Sequence, residues 1–142
     1  MAGWLLGPRA LKEFVRGRPP GRTSRVHDWA DQLPPTEPLY VSRTTWAYVR
    51  SEALKIPNPR QQQDWIAALD DDVPAKFSHR LLDLRTDHFV RWSEVRHDTV
   101  DGRKLSEIEA FDVAVCLREE LAYVTDDVAI GPATGIAVHS PW

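Results

Sequence analysis

The segment from Ser106 to Leu121 constrains the fold more than any other part of the sequence. Ser106 and Glu109 stand three residues apart at its start, a capping box in which each side chain bonds the other residue's backbone. The positions that follow are apolar over more than half of a helix circumference: Ile108, Phe111, Val113, Ala114, Val115, Leu117 and Leu121. A helix this apolar is normally the central one of a bundle.

Prolines and capping residues predict further helices around this one. Pro8 suits the first position of a short helix, and Asn58 followed by Pro59 is a preferred helix start. Short connections at 57–58 and 70–73 favour antiparallel neighbours. We therefore predict an all-α fold, a small bundle of four or five helices with extended N- and C-terminal arms. A minor strand or β-hairpin is placed at 39–41 or, near the C-terminus, at 128–138.

The length of 142 residues is that of one ordinary domain. Hydrophobic residues at 42% and charged residues at 27% exclude a fully disordered or membrane-embedded chain. A single cysteine excludes a disulfide framework and a cysteine-based zinc cage. We divide the chain into a basic, Pro/Gly-rich arm (1–24), a helical bundle (25–124) and an extended or hairpin tail (125–142).

Charge is distributed unevenly along the chain. Residues 1–25 carry a formal charge of +5 and residues 26–142 one of −8. Two of the six tryptophans stand near the termini, and tryptophan is enriched at binding hot spots. We therefore predict that the arms bind a partner, through Trp4, Arg9, Lys12, Arg16, Arg18, Arg22, Arg25 and Trp142.

The sequence does not predict a catalytic site, a metal site or a cofactor. His79, His88 and His97 recur every nine residues, which turns successive members to opposite faces of a helix. The acidic run 70–72 lacks the glycine and distal glutamate of a calcium loop. Cys116 lies within the most apolar segment, where cysteines are usually inert.

Three functions are considered, and the favoured one is non-catalytic. It is an interaction or structural subunit, phage-encoded in one interpretation, that joins a protein assembly or associates with itself. The alternative is a nucleic-acid-binding regulator that uses residues 1–25 and a helix-turn-helix-like segment, 43–69. The third is a helical ribonuclease, because Arg91 and His97 match the Arg-x4–6-His spacing used by ribonucleases of the HEPN type. We predict no enzyme activity, no small-molecule substrate and no membrane contact, with a place in the cytoplasm or in a virion.

Overall fold

Short runs of two to four residues form the strands in the computed structural model, which describes residues 2–17 and 20–142. The strands are β1 (Gly3–Leu6), β2 (Leu39–Ser42), β3 (Leu81–Leu82), β4 (Thr99–Val100), β5 (Arg103–Lys104), β6 (Leu121–Val124) and β7 (Val138–His139). Five of them form one parallel sheet in the order β3-β2-β1-β6-β7, with Leu5 opposite both Tyr40 and Tyr123. The remaining two, β4 and β5, form a small antiparallel hairpin.

Helices connect the strands. They are α1 (Pro8–Arg16), α2 (Arg25–Asp31), α3 (Arg43–Ala53), α4 (Pro59–Ala67), α5 (Val73–Phe77), α6 (Thr86–Val95), α7 (Glu107–Glu119) and α8 (Ile130–Thr134). A π-helical turn (Ala68–Asp72) joins α4 to α5, and a 3-10 turn (Ser78–Arg80) leads into β3. In the part of the chain that the structure describes, no helix is long and apolar enough to span a bilayer.

Alternate residues of the central strands point to opposite faces of the sheet, as the pleat requires. Leu5 and Tyr123 are fully buried on one face, in a cluster to which α7 contributes more residues than any other element. Leu6 and Val124 are buried on the other, with apolar residues of α1 and α3. The sheet is therefore covered on both faces, which is the usual condition for parallel strands.

The local helix predictions are confirmed where capping chemistry carried them. Ser106 Oγ accepts a hydrogen bond from the Glu109 backbone N–H at 3.2 Å, and Glu109 Oε1 accepts one from Ser106 N–H at 2.8 Å. Asn58 caps α4 by accepting from Gln61 N–H at 3.0 Å, and Pro8 begins α1. Backbone groups at helix ends depend on such local partners, so they are readable from sequence.

The predicted all-α bundle is wrong, because the fold is α/β with a five-stranded parallel sheet. The extended N-terminal arm is wrong as well, since it contains the central strand β1 and helix α1. The segment 128–138 forms α8 and leads into β7, which pairs with β6 in parallel and not as a hairpin. Four-residue strands buried on both faces show no alternation of apolar and polar residues, so periodicity does not distinguish them from helix.

The end of α7 illustrates the ambiguity. The helix ends at Glu119, and Glu120 adopts a left-handed conformation with φ 57°. This position is usually occupied by glycine or asparagine, so a glutamate there gives no stop signal. The apolar residues after it belong to β6, although the sequence predicts that the helix extends through Leu121.

Candidate functional site

A groove of about 700 Å³ opens at the carboxyl ends of β1 and β6. The connections from β1 lead to one side of the sheet through β2 and β3, whereas β6 and β7 extend the other side. The strand order therefore changes direction between β1 and β6, and ligands of open α/β sheets bind at such a switch point. The groove is lined by the ends of these strands, by α1 and by the start of α7.

Gly7 forms the floor of the groove directly after β1. Its N–H donates to the carbonyl oxygen of Val124 at 2.9 Å, which joins the ends of the two strands. A Cβ atom at this position would lie 2.8 Å from that same oxygen and 3.1 Å from the hydroxyl of Tyr123. The position therefore has no room for a side chain while Tyr123 occupies its present place.

Asp112 lies beneath the groove and is fully buried. Its Oδ1 accepts hydrogen bonds from Ser42 Oγ at 2.7 Å and Thr45 Oγ1 at 2.8 Å. Its Oδ2 accepts one from the Tyr123 hydroxyl at 2.7 Å. Three elements, the β2–α3 junction, α7 and β6, are thus joined at one carboxylate.

Burial dominates the ionisation of this network. It raises the pKa of Asp112 to about 6, although the hydroxyls of Ser42, Tyr123 and Thr45 favour the charged form. Burial also raises the pKa of Tyr123, and the charge of Asp112 raises it further. The phenol is therefore a hydrogen-bond donor at neutral pH and not a source of protons.

Two cations and one exposed carboxylate lie at the mouth of the groove. The guanidinium of Arg9 lies 4.2 Å from the ring centroid of Trp142 and pairs with Asp126 at 3.2 Å. Lys12 Nζ lies 5.6 Å from the ring centroid of Tyr48. Asp126 is the second residue after β6 and has a side chain 55% exposed. These groups can bind a phosphate and exchange a proton with a ligand.

The other acidic residues of the lining are bound to arginines. Glu107 pairs with Arg96 at 3.2 Å. Glu109 accepts two hydrogen bonds from Arg103, at 2.9 and 3.1 Å. Burial works to raise the pKa of Glu109, but Arg103 and the Ser106 N–H hold it below its ordinary value.

Proteins hold divalent metal ions on clustered carboxylates. Across residues 2–17 and 20–142, no group of three or more His, Cys, Asp or Glu side chains could hold a metal ion. Asp112 is saturated by hydroxyl donors, and the lining glutamates are paired with arginines. These residues do not fit a carboxylate-bound metal centre.

A second groove of about 400 Å³ adjoins the first and shares Arg9 and Lys12 with it. Arg16, Arg25 and Trp142 also line it. Trp142 is fixed there because its Nε1 donates to Glu13 at 2.7 Å. The structure thus brings five residues of the predicted partner-binding set together on one surface, by folding the C-terminus onto α1.

The other members of that set lie elsewhere. Trp4 is half-buried, with its ring centroid 5.2 Å from that of Trp29. Arg22 is exposed in the segment before α2, and Arg18 lies outside the described residues. The role of the eight residues in partner binding stays a prediction.

The sequence analysis missed Gly7, Tyr48, Asp112, Tyr123 and Asp126. Asp112 carried the clearest signal, since it is the one charged residue between Ala110 and Leu117 in an otherwise apolar run. A charge at such a position needs buried partners. Those partners come from β2, α3 and β6, which no local pattern connects to α7.

Comparisons with solved structures show a consistent likeness. FitAcB from Neisseria gonorrhoeae superposes with a TM-score of 0.80 at 22% identity, covering 98% of each chain. VapBC2 from Rickettsia felis bound to a promoter DNA fragment gives 0.71 at 14% identity, again over 98% of each chain. VapBC-5 from Mycobacterium tuberculosis gives 0.65 at 18% identity over 99% of this chain and 98% of that one. No protein-family model and no curated protein matches the sequence.

The chain has a VapC-like PIN fold. This finding overturns the prediction of a phage structural or interaction subunit, because the structures with this fold are toxin-antitoxin complexes of the FitAB and VapBC type. The prediction that the chain is not an enzyme is wrong for the same reason. A phage structural protein and a place in a virion find no support in the fold.

The two alternative functions fail as well. The segment 43–69 does contain two helices, but α3 buries Val49 and Ala53 in the core of the α/β domain. The HEPN-type interpretation required an all-α protein, which this is not. Arg91, one half of its motif, is paired with Glu94 on the exposed side of α6.

Proposed function

We propose that the chain is a ribonuclease of the VapC-like toxin class that acts on single-stranded RNA and pairs with an antitoxin protein. The observation that carries the proposal is the groove at the switch point of a VapC-like PIN fold, with Arg9, Lys12 and Asp126 at its mouth. A phosphodiester is an anion, and arginine and lysine are the side chains that bind it. Action on cellular RNA requires a place in the cytoplasm.

Asp126 is the group suited to accept a proton in this reaction, since it is exposed at the groove mouth. The 2′-hydroxyl of RNA attacks the adjacent phosphorus and gives its proton to the Asp126 carboxylate. The bond from phosphorus to the 5′ oxygen breaks, and the departing oxygen takes a proton from water. Arg9 and Lys12 stabilise the charge on the phosphoryl oxygens.

The test is cleavage of a labelled single-stranded RNA by the purified chain. We expect the wild-type chain to shorten the RNA and Asp126→Asn to slow cleavage by about 10²-fold or more, as loss of a general base does. Asp71→Asn, an exposed carboxylate on the π-helical turn, is the matched control and should retain full activity. Intact RNA with the wild-type chain, or equal rates for both variants, would contradict the proposal.

We propose the partner from the complexes in which the similar chains are found. The Neisseria, Rickettsia and Mycobacterium structures are complexes of the FitAB or VapBC type, and one of them holds DNA. The basic surface formed by Arg9, Lys12, Arg16 and Arg25 is suited to an acidic segment of such a protein as well as to RNA. A candidate antitoxin should lower RNA cleavage and elute with the chain as one complex of defined stoichiometry.

A further inference from the structure

The carboxylates around the groove are all bound to groups of the protein. Asp112 accepts from three hydroxyls, Glu109 and Glu107 pair with arginines, and Asp126 pairs with Arg9. A divalent ion needs several oxygen ligands at once, and here each of these carboxylates already has a protein donor on at least one of its oxygens. The negative charge that would attract a metal ion is therefore offset by arginines and hydroxyl groups of the protein itself.

The cations at the mouth are, in contrast, accessible to solvent, Arg9 being exposed and Lys12 partly exposed. Arg9 has a side chain 53% exposed, and its ion pair with Asp126 is of the exposed kind that contributes little free energy. Aromatic rings beneath Arg9 and Lys12 hold them in place through cation–π contacts. A phosphate can thus bind both cations without removing a buried ion pair.

The arrangement continues along α1. Arg9, Lys12 and Arg16 follow the i, i+3, i+7 spacing of one helix face, and all three line the second groove. Trp65 and Trp142 line it too. Cations interleaved with aromatic rings are the usual surface for a single-stranded nucleic acid, because the rings stack on bases while the cations follow the backbone.

We infer that this groove binds RNA phosphate directly through Arg9 and Lys12, with no divalent metal ion between protein and RNA. The inference rests on the proposed function and names how its site takes the substrate. The two cations supply the positive charge that a metal ion would otherwise bring to the phosphate.

The test measures the binding of a labelled single-stranded RNA by fluorescence anisotropy, once in magnesium and once in excess EDTA. Magnesium competes with protein cations for RNA phosphates, so a direct site binds as tightly or more tightly in EDTA. We expect Arg9→Gln and Lys12→Gln each to weaken binding in EDTA about 3- to 10-fold and to reduce the salt slope by about 0.7. Arg91→Gln removes an equal charge on α6, outside both grooves, and should leave the affinity unchanged.

A second measurement concerns the metal alone. Manganese titrated into the RNA-free protein should remain free, as its electron paramagnetic resonance signal reports. A saturable manganese site that Asp126→Asn abolishes, or RNA binding that EDTA abolishes, would overturn the inference while leaving the proposed function in place. If the chain binds RNA neither in magnesium nor in EDTA, both the inference and the proposed function are overturned. Binding that Arg91→Gln weakens as much as Lys12→Gln would show general charge attraction and would also overturn the inference.

Discussion

Asp112 on α7 and Asp126 after β6 lie near the same end of the sheet, yet they have opposite surroundings. Asp112 is fully buried and bound by the hydroxyls of Ser42, Thr45 and Tyr123. Asp126 is more than half exposed and meets one arginine at 3.2 Å. A buried carboxylate has no access to a ligand, so its hydrogen bonds serve to join β2, α3, α7 and β6. The exposed carboxylate contributes little to stability and is accessible to a ligand in the groove.

This comparison teaches that the number of acidic residues near a sheet edge does not define a metal or catalytic site. What matters is how many of their oxygens lack a protein donor. Near this end of the sheet the buried Asp112 stabilises the fold, whereas the exposed Asp126 lines the groove. Stability and activity should therefore separate between the two aspartates.

Loss of Asp112 should have the largest effect. Asp112→Ala leaves three buried hydroxyls without their acceptor, and we expect the free energy of unfolding to fall by about 3 kcal/mol. Asp126→Ala, the exposed counterpart, should change it by less than about 0.5 kcal/mol. Urea unfolding followed by tryptophan emission measures both. Equal losses for the two variants would show that the comparison is wrong.

The pH dependence of stability should also be traceable to Asp112. Its pKa is raised from 3.8 to about 6 in the folded chain, so the folded state binds the proton more tightly than the unfolded one. This contribution is complete below about pH 4 and is lost as the pH rises through about 6, an effect on the order of 2–3 kcal/mol.

The measurement is urea unfolding of the wild-type chain and Asp112→Asn at intervals across this range. The amide does not titrate, so the stability difference between the two proteins should change between pH 4 and 6 and be constant above it. Glu13, whose pKa is lowered, titrates equally in both proteins and cancels from the difference, whereas Glu109 interacts with the charge of Asp112 and contributes to it. A constant difference across the range would mean that the buried carboxylate does not titrate there.

Gly7 tests the packing between the ends of β1 and β6. Gly7→Ala places a Cβ atom against the Val124 carbonyl and the Tyr123 hydroxyl, so one of them must move. We expect a loss of about 1–3 kcal/mol, typical of an overpacked site. Gly102→Ala on the hairpin meets no atom within 4 Å but has φ 80°, so it reports backbone strain without overpacking. A shift in the Tyr123 hydrogen-bond network should accompany the first variant alone, as amide chemical shifts would show.

Glu109 is an intermediate case, half-buried and held by Arg103, and loss of this arginine should have a smaller effect than loss of Asp112 or overpacking at Gly7. Arg103 also pairs with Asp127, so it joins the start of α7 to the segment after β6. Since the Arg103 side chain is 45% exposed, solvent screening limits the loss in Arg103→Ala to about 0.5–1 kcal/mol. Thermal unfolding measures it, with Arg91→Ala as the control for a simple exposed pair. A loss as large as that of Asp112→Ala would show that the pair of Arg103 and Glu109 stabilises the fold as much as the buried hydrogen bonds of Asp112 do.

Part of the fold could be predicted from sequence, and particular residues show why. Pro8, Asn58 and the pair Ser106 and Glu109 act on backbone groups within one turn, so their helices are found where predicted. The basic residues of α1 likewise share a face because of helix geometry alone. The short strands could not be predicted in this way, because Gly3–Leu6 and Leu121–Val124 look alike as strand or as buried helix until they are paired.

The candidate site, like the short strands, could hardly be predicted from the sequence. Asp112 is separated from Ser42 by 70 residues in sequence and Trp142 from Glu13 by 129, so only folding brings them together. The sequence by itself determined the helix starts and the cationic face of α1, since local hydrogen bonds and helix periodicity act within a few residues. The tertiary structure decided which carboxylate is buried, why position 7 must lack a side chain, and where the groove opens. Those properties depend on parallel strands meeting at one edge, an arrangement created by long-range contacts.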